Sequence, residues 1–103
     1  MASTHPRVEV PKQEIEAFCR RWDVVELALF GSVVRDDFGP DSDIDVMVKF
    51  APEHGKDLFD FVDMRDELEA IFGRRVDLVK HGTIESPSRR RSIMHDLTVV
   101  YAA

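Results

Sequence analysis

The chain has 103 residues, 44% of them apolar, and carries 20 Asp and Glu against 14 Lys and Arg for a net charge of −6. That length allows one core and therefore one domain, residues 1–103, and the apolar share excludes intrinsic disorder. The acidic balance argues against a general nucleic-acid binder, and the single cysteine excludes an internal disulfide framework. No apolar run approaches the roughly 20 residues of a membrane span, and the N-terminus lacks a signal-peptide pattern, so a cytoplasmic protein is expected.

Residues 1–10 are polar and mixed and predict a ragged start. Pro11 suits a helix start, where its missing N–H costs nothing. Ile15, Phe18, Cys19 and Trp22 recur at helical spacing and predict one buried stripe to about residue 22, with Cys19 as core. Arg20 and Arg21 complement the dipole in its last turn. Residues 24–30 read as a buried strand interrupted only by Glu26. A short helix follows from Ser32 to about Asp37 and ends at Phe38-Gly39-Pro40. Residues 43–50 read as a second strand and 51–56 as a loop. Asp57 is placed to cap a long helix, with Leu58, Phe61, Met64, Leu68, Ile71 and Phe72 on one side and Gly73 as its stop. Residues 75–80 form a third strand, Val76 and Leu78 on one face, Asp77 and Val79 on the other. His81-Gly82 turns the chain, Ser86 or Ser88 starts a last helix, and residues 97–101 close as a strand or a helix extension.

Two stretches carry chemistry, Leu29-Phe30-Gly31-Ser32-Val33-Val34-Arg35 and Asp41-Ser42-Asp43-Ile44-Asp45-Val46-Met47-Val48. Gly31 permits a tight turn and a close approach to the backbone. Ser32 suits a helix N-cap, and a helix N-terminus binds phosphate readily. Arg35, one turn on, has the forked geometry for phosphate oxygens. Asp43 and Asp45 share a strand face and repel each other. A hard cation such as Mg2+ relieves that repulsion and bridges to nucleotide phosphates. A plain Asp- and Ser-rich loop is the blander reading of these acids alone. Asp77, in an apolar strand, either faces solvent or meets a cation. Arg89-Arg90-Arg91 reads as a solvated helix face or as a contact for ATP phosphates, RNA or an acidic partner. His5, His54, His81 and His95 show no metal-ligand spacing, and Gly55-Lys56 lacks the glycines of a P-loop.

Gly31-Ser32, ten intervening residues and Asp43-x-Asp45 together fit Gly-Ser-x10-Asp-x-Asp. On these residues, and on the ending from Ile93 to Tyr101, the chain resembles the nucleotidyltransferase superfamily related to DNA polymerase beta, in its minimal single-domain branch, the MNT proteins. The resemblance implies an α/β fold, a small mixed sheet flanked by helices. It implies two Mg2+ ions held by Asp43, Asp45 and Asp77, with Gly31, Ser32 and Arg35 on the phosphates of ATP. MNT proteins are commonly partnered with HEPN RNases that act as toxins. The implied function is therefore an antitoxin that transfers AMP from ATP to a hydroxyl of its toxin, a tyrosine foremost, without membrane or direct DNA contact. Val34 and Asp36 depart from the usual Gly-Ser-x-Ala-Arg-Gly and bring bulk and negative charge near the phosphate site. Three other readings stay open: a transferase for a small molecule such as an aminoglycoside, a non-catalytic module that masks a toxin through the 57–72 stripe, and a structural cation site.

Overall fold

The computed structural model describes residues 9–34, 39, 41–52, 55–83 and 86–103. Helix α1 (Lys12–Arg21) starts after Pro11 and buries Ile15, Phe18 and Cys19, with Arg20 and Arg21 in its last turn. Trp22, expected on the buried stripe, is instead the C-cap and only half-buried. Its polar edge explains the difference: the indole N–H donates to Glu67 Oε1 at 3.2 Å and needs a place at the rim. Asp23 then turns the chain at φ 59, a conformation that Asp tolerates better than most residues.

Strand β1 (Val24–Phe30) lies at the centre of the sheet, antiparallel to both β2 (Ile44–Phe50) and β4 (Thr98–Ala102). Strand β3 (Val76–Lys80) pairs parallel with β2, so the order is β3-β2-β1-β4 and the sheet is mixed, as the resemblance implied. A parallel neighbour needs a crossover, and helix α2 (Leu58–Phe72) supplies it. Asp57 caps α2 in a reciprocal box: its carboxylate accepts from Asp60 N at 2.9 Å, and Asp60 Oδ2 accepts from Asp57 N at 3.1 Å. Gly73 closes the helix at φ 69. Helix α3 (Pro87–Asp96) starts at Ser86, whose hydroxyl accepts from Arg89 N.

Strand alternation divides the apolar residues between two faces. Leu27 and Leu29 of β1, Ile44, Val46 and Val48 of β2, and Val76 and Leu78 of β3 pack with α1 and with Met64 and Leu68 of α2. On the other face Phe30 and Met47 pack with Ile93 of α3, Val79 and Leu97. Leu58, expected on the buried stripe of α2, is 76% exposed. It belongs to the first turn of the helix, beside Phe50 and Lys80 at the ends of β2 and β3, where the sheet offers little to cover it. Strand β2 starts at Ile44 rather than Asp43, and the final segment is strand rather than helix extension. Residues 1–8, 35–38, 40, 53–54 and 84–85 lie outside the described residues. They include Arg35, Asp36, His5, His54 and the end of the helix expected from Ser32. Among the described residues, no helix is long and apolar enough to cross a membrane.

Candidate active site

Strand register brings the acidic and glycine positions together. Asp45 stands opposite Phe30 on one side and opposite Asp77 on the other. Neighbouring strands lie about 4.8 Å apart, so Phe30, Asp45 and Asp77 form one row across three strands, and Gly31 follows directly on Phe30. Ile44 and Val46 are buried on the α1/α2 side, so Asp45 projects from the opposite side, with Phe30 and Met47. Asp77 likewise alternates with the buried Val76 and Leu78 and is exposed.

Gly31 has φ +75, and a Cβ built on it would stand 3.2 Å from Asp45 Cγ, with Oδ2 nearer still. The carboxylate of Asp45 therefore fills the room that a side chain at position 31 would need. Sequence reasoning asked for glycine so that the chain could turn and a ligand approach. The structure adds a second demand, since the group lying against the backbone is one of the two motif carboxylates.

Asp43 takes a different direction. Its Oδ1 is 3.3 Å from Arg75 Nε, in an ion pair exposed on both sides. With Asp77, Phe61, Val62 and Arg65 it lines a cleft of about 270 Å3 between α2 and the sheet edge. Arg74 holds the approach to Asp43: Nη1 donates to Gly39 O at 3.0 Å and to Ser42 O at 3.2 Å. The turn is closed further by Ser42, whose Oγ accepts from Gly39 N at 3.0 Å. Neither Arg74 nor Arg75 was singled out from the sequence. The doublet directly ahead of an Asp-bearing strand was the available signal.

Among the described residues, no three acidic, His or Cys side chains converge as ligands for a metal ion. Asp43 is paired with Arg75 instead. The donors nevertheless suit a hard divalent cation: they are carboxylate oxygens alone, and Asp45 and Asp77 are register neighbours. Exposed ion pairs contribute about 0–1 kcal/mol, so an arriving cation displaces Arg75 at small cost.

Ser32 does not cap an α-helix. It lies within a four-residue 3-10 helix, Gly31–Val34, whose tighter turn starts at Gly31 itself. Val34, the bulky departure from the motif, is buried in the core, so its volume is taken up inside the fold. The part of Arg35 and Asp36 lies outside the described residues. Cys19 is core as expected, and burial pushes its thiol up to about 12. Arg89, Arg90 and Arg91 are all exposed, in keeping with a solvated face. Arg90 also borders a cavity of about 190 Å3 with Met47 and Ile93.

Residues 12–100 match the family model described as the nucleotidyltransferase domain. The chain belongs to that family. It is similar to the protein adenylyltransferase MntA of Thermococcus cleftensis, 41% identical over 66 residues that span 64% of this chain and 65% of that protein. A solved structure provisionally named a minimal nucleotidyltransferase is 30% identical, with a TM-score of 0.68 over 84% of this chain and 86% of that one. A structure of tri-AMPylated Shewanella oneidensis HEPN toxin in complex with MNT antitoxin gives a TM-score of 0.63 at 20% identity. It covers 89% of this chain and 70% of that one, and shows a shared fold. This nucleotidyltransferase thus has the polymerase beta-like architecture, with the Gly-Ser turn and the Asp-x-Asp segment joined across β1 and β2.

Proposed function

We propose that this nucleotidyltransferase transfers AMP from ATP to a hydroxyl of a partner protein, a tyrosine of a cognate HEPN RNase, and thereby acts as its antitoxin. The observation that carries the reading is the packing of Asp45 against Gly31 with Asp77 in register beside it, an acidic row that starts at a glycine turn. The protein adenylyltransferase name of the Thermococcus relative and the AMPylated toxin of the Shewanella complex support the choice of acceptor. The cytoplasm, where ATP and RNA are found, is the proposed location.

Gly31 and Ser32 would present backbone donors to the triphosphate, with Arg35 adding charge from the segment that follows. Asp43, Asp45 and Asp77 would hold Mg2+, with two ions as the working number. When bound, Mg2+ neutralises phosphate charge and lowers the pKa of a coordinated hydroxyl. The hydroxyl oxygen attacks the α-phosphorus, the bond from that phosphorus to the bridging oxygen breaks, and pyrophosphate leaves. Asp77, exposed on the edge strand, would take the proton of the incoming hydroxyl, a role its exposure supports. The protein contributes position and electrostatics, with no covalent intermediate on the chain.

Incubation with ATP labelled at the α-phosphate and the HEPN protein tests this reading. Label should pass to the HEPN protein with the wild-type chain and be absent with Asp45→Asn. Label that appears instead on an added aminoglycoside makes the chain a small-molecule transferase. Inhibition of the RNase without label makes it a masking protein.

A further inference from the structure

Helix α2 leaves an apolar surface uncovered beside the carboxylates. Phe59 is 81% exposed, Leu58 76% and Val62 42%. Val62 follows Leu58 by four residues and Phe59 by three, so the three side chains form one patch on the helix surface. Large apolar residues grouped on an otherwise polar surface mark interaction sites, whereas a single exposed one needs no explanation.

This patch borders the cleft that Asp43 and Asp77 line at the edge of the sheet, next to the face that carries Asp45 and Gly31. Val62 is a wall of the 270 Å3 cleft that holds Asp43 and Asp77. A second cavity of about 380 Å3 continues along α2 under Leu58, and Phe61 and Leu78 line both. The result is a groove between α2 and the edge strand β3, with apolar residues on its helix rim, Lys56 and Lys80 at one end, and Asp43 and Asp77 with Arg65 at the other. Charge narrows the occupant further. Helix α2 carries five acidic residues, among them Asp60, Asp63 and Asp66 near the patch, against one basic residue. Apolar anchors in an acidic field suit a protein with an apolar centre ringed by Lys and Arg. An RNase must keep such a basic surface for its substrate.

We propose that Leu58, Phe59 and Val62 form the docking surface for the acceptor protein, and that the groove guides its hydroxyl to the Asp43/Asp77 end. This rests on the reading that the acceptor is a protein. A small-molecule acceptor would have no use for an apolar patch outside the cleft.

The test uses the whole chain and the purified HEPN protein. Leu58→Ser with Phe59→Ser changes two exposed residues, and a thermal melt checks that the fold survives. Calorimetry should show HEPN binding weakened at least about thirtyfold, the scale of a hot-spot pair, with ATP affinity unchanged. Binding within threefold of wild type overturns the proposal. A matching loss of ATP affinity also overturns it, since the patch would then serve the nucleotide. So does a wild-type dimer that the change turns into a monomer, which would make the occupant a second copy of the chain. Asp63→Lys needs no apolar residue removed: it should slow association several-fold at low salt, and the difference should vanish at high salt. Equal association rates at low salt count against the acidic rim. If the wild-type chain binds the HEPN protein without labelling it, AMP transfer is refuted, while loss of binding in the double variant still supports the surface. If it labels the protein and the double variant labels it equally at limiting concentration, the surface alone is refuted.

Discussion

Gly31→Ala separates the cost of a strained backbone from the cost of a displaced carboxylate. Gly31 and Gly73 have nearly the same φ, +75 and +69, yet a Cβ at Gly73 meets nothing within 4 Å while one at Gly31 meets Asp45. Holding an alanine in the left-handed region costs about 1–2 kcal/mol. Gly73→Ala should therefore lower stability by about that amount, a Tm drop of roughly 4–8 °C for each kcal/mol in a domain of this size. Gly31→Ala carries the same strain and must also push the Asp45 carboxylate aside. The nearest atom belongs to the carboxylate end of the Asp45 side chain, which lies outside the buried core, so the total should stay below about 3 kcal/mol. Activity should respond differently, because a displacement near 1 Å at a reacting group costs about a hundredfold. The assay is label transfer at saturating ATP together with thermal melts of both variants. Gly73→Ala should keep its rate within about a factor of two, and Gly31→Ala should lose about two orders of magnitude. Equal rates in the two variants would refute the packing of Asp45 on Gly31 as a functional contact.

Asp43→Asn with Asp45→Asn should abolish transfer and leave the fold intact, and in chelator the melting temperature should stay level or rise because like charges are removed beside Asp77; a large fall in melting temperature would give these residues a structural role. Ser32→Ala with Arg35→Ala should weaken ATP more than Mn2+ in separate calorimetric titrations, and equal losses would take both residues out of the phosphate site. Arg75→Gln should change stability by less than about 1 kcal/mol yet tighten Mn2+ binding, since it frees Asp43; unchanged Mn2+ affinity would mean that the ion pair does not compete with the metal. The Cys19 thiol, raised from 9.0 to about 12, keeps its proton in the fold at pH values where the unfolded chain loses it. Its contribution is therefore complete below about pH 9 and is lost as pH rises toward 12, and Cys19→Ala should flatten that part of a stability–pH curve.

Much of the fold was legible because its elements announce themselves chemically. Pro11 and Arg20-Arg21 bracket α1 and Asp57 and Gly73 bracket α2, and of the two serines offered for the start of α3, Ser86 rather than Ser88 is the cap. The two sheet faces followed from alternation in β2 and β3. What failed depended on tertiary surroundings. Leu58 has the right spacing for the buried stripe but sits where the sheet ends, and Trp22 has the right spacing but follows a polar partner, Glu67. The Asp-x-Asp motif and Asp77 were visible as candidates, since acids in apolar strands need a reason. Spacing alone could not show that Asp45 lies against Gly31, because that contact depends on the register of β1 against β2. Nor could it show Asp43 paired with Arg75, a side-chain choice made across two strand ends.

The most direct test of AMP transfer to a protein acceptor is intact-mass spectrometry of the cognate HEPN protein after incubation with this chain, ATP and Mg2+. One or more additions of AMP mass are expected, located on a tyrosine by fragmentation and lost when Asp45 or Asp77 is changed to Asn. A HEPN protein of unchanged mass, with its RNase activity blocked equally by wild-type and Asp45→Asn chains, would contradict it.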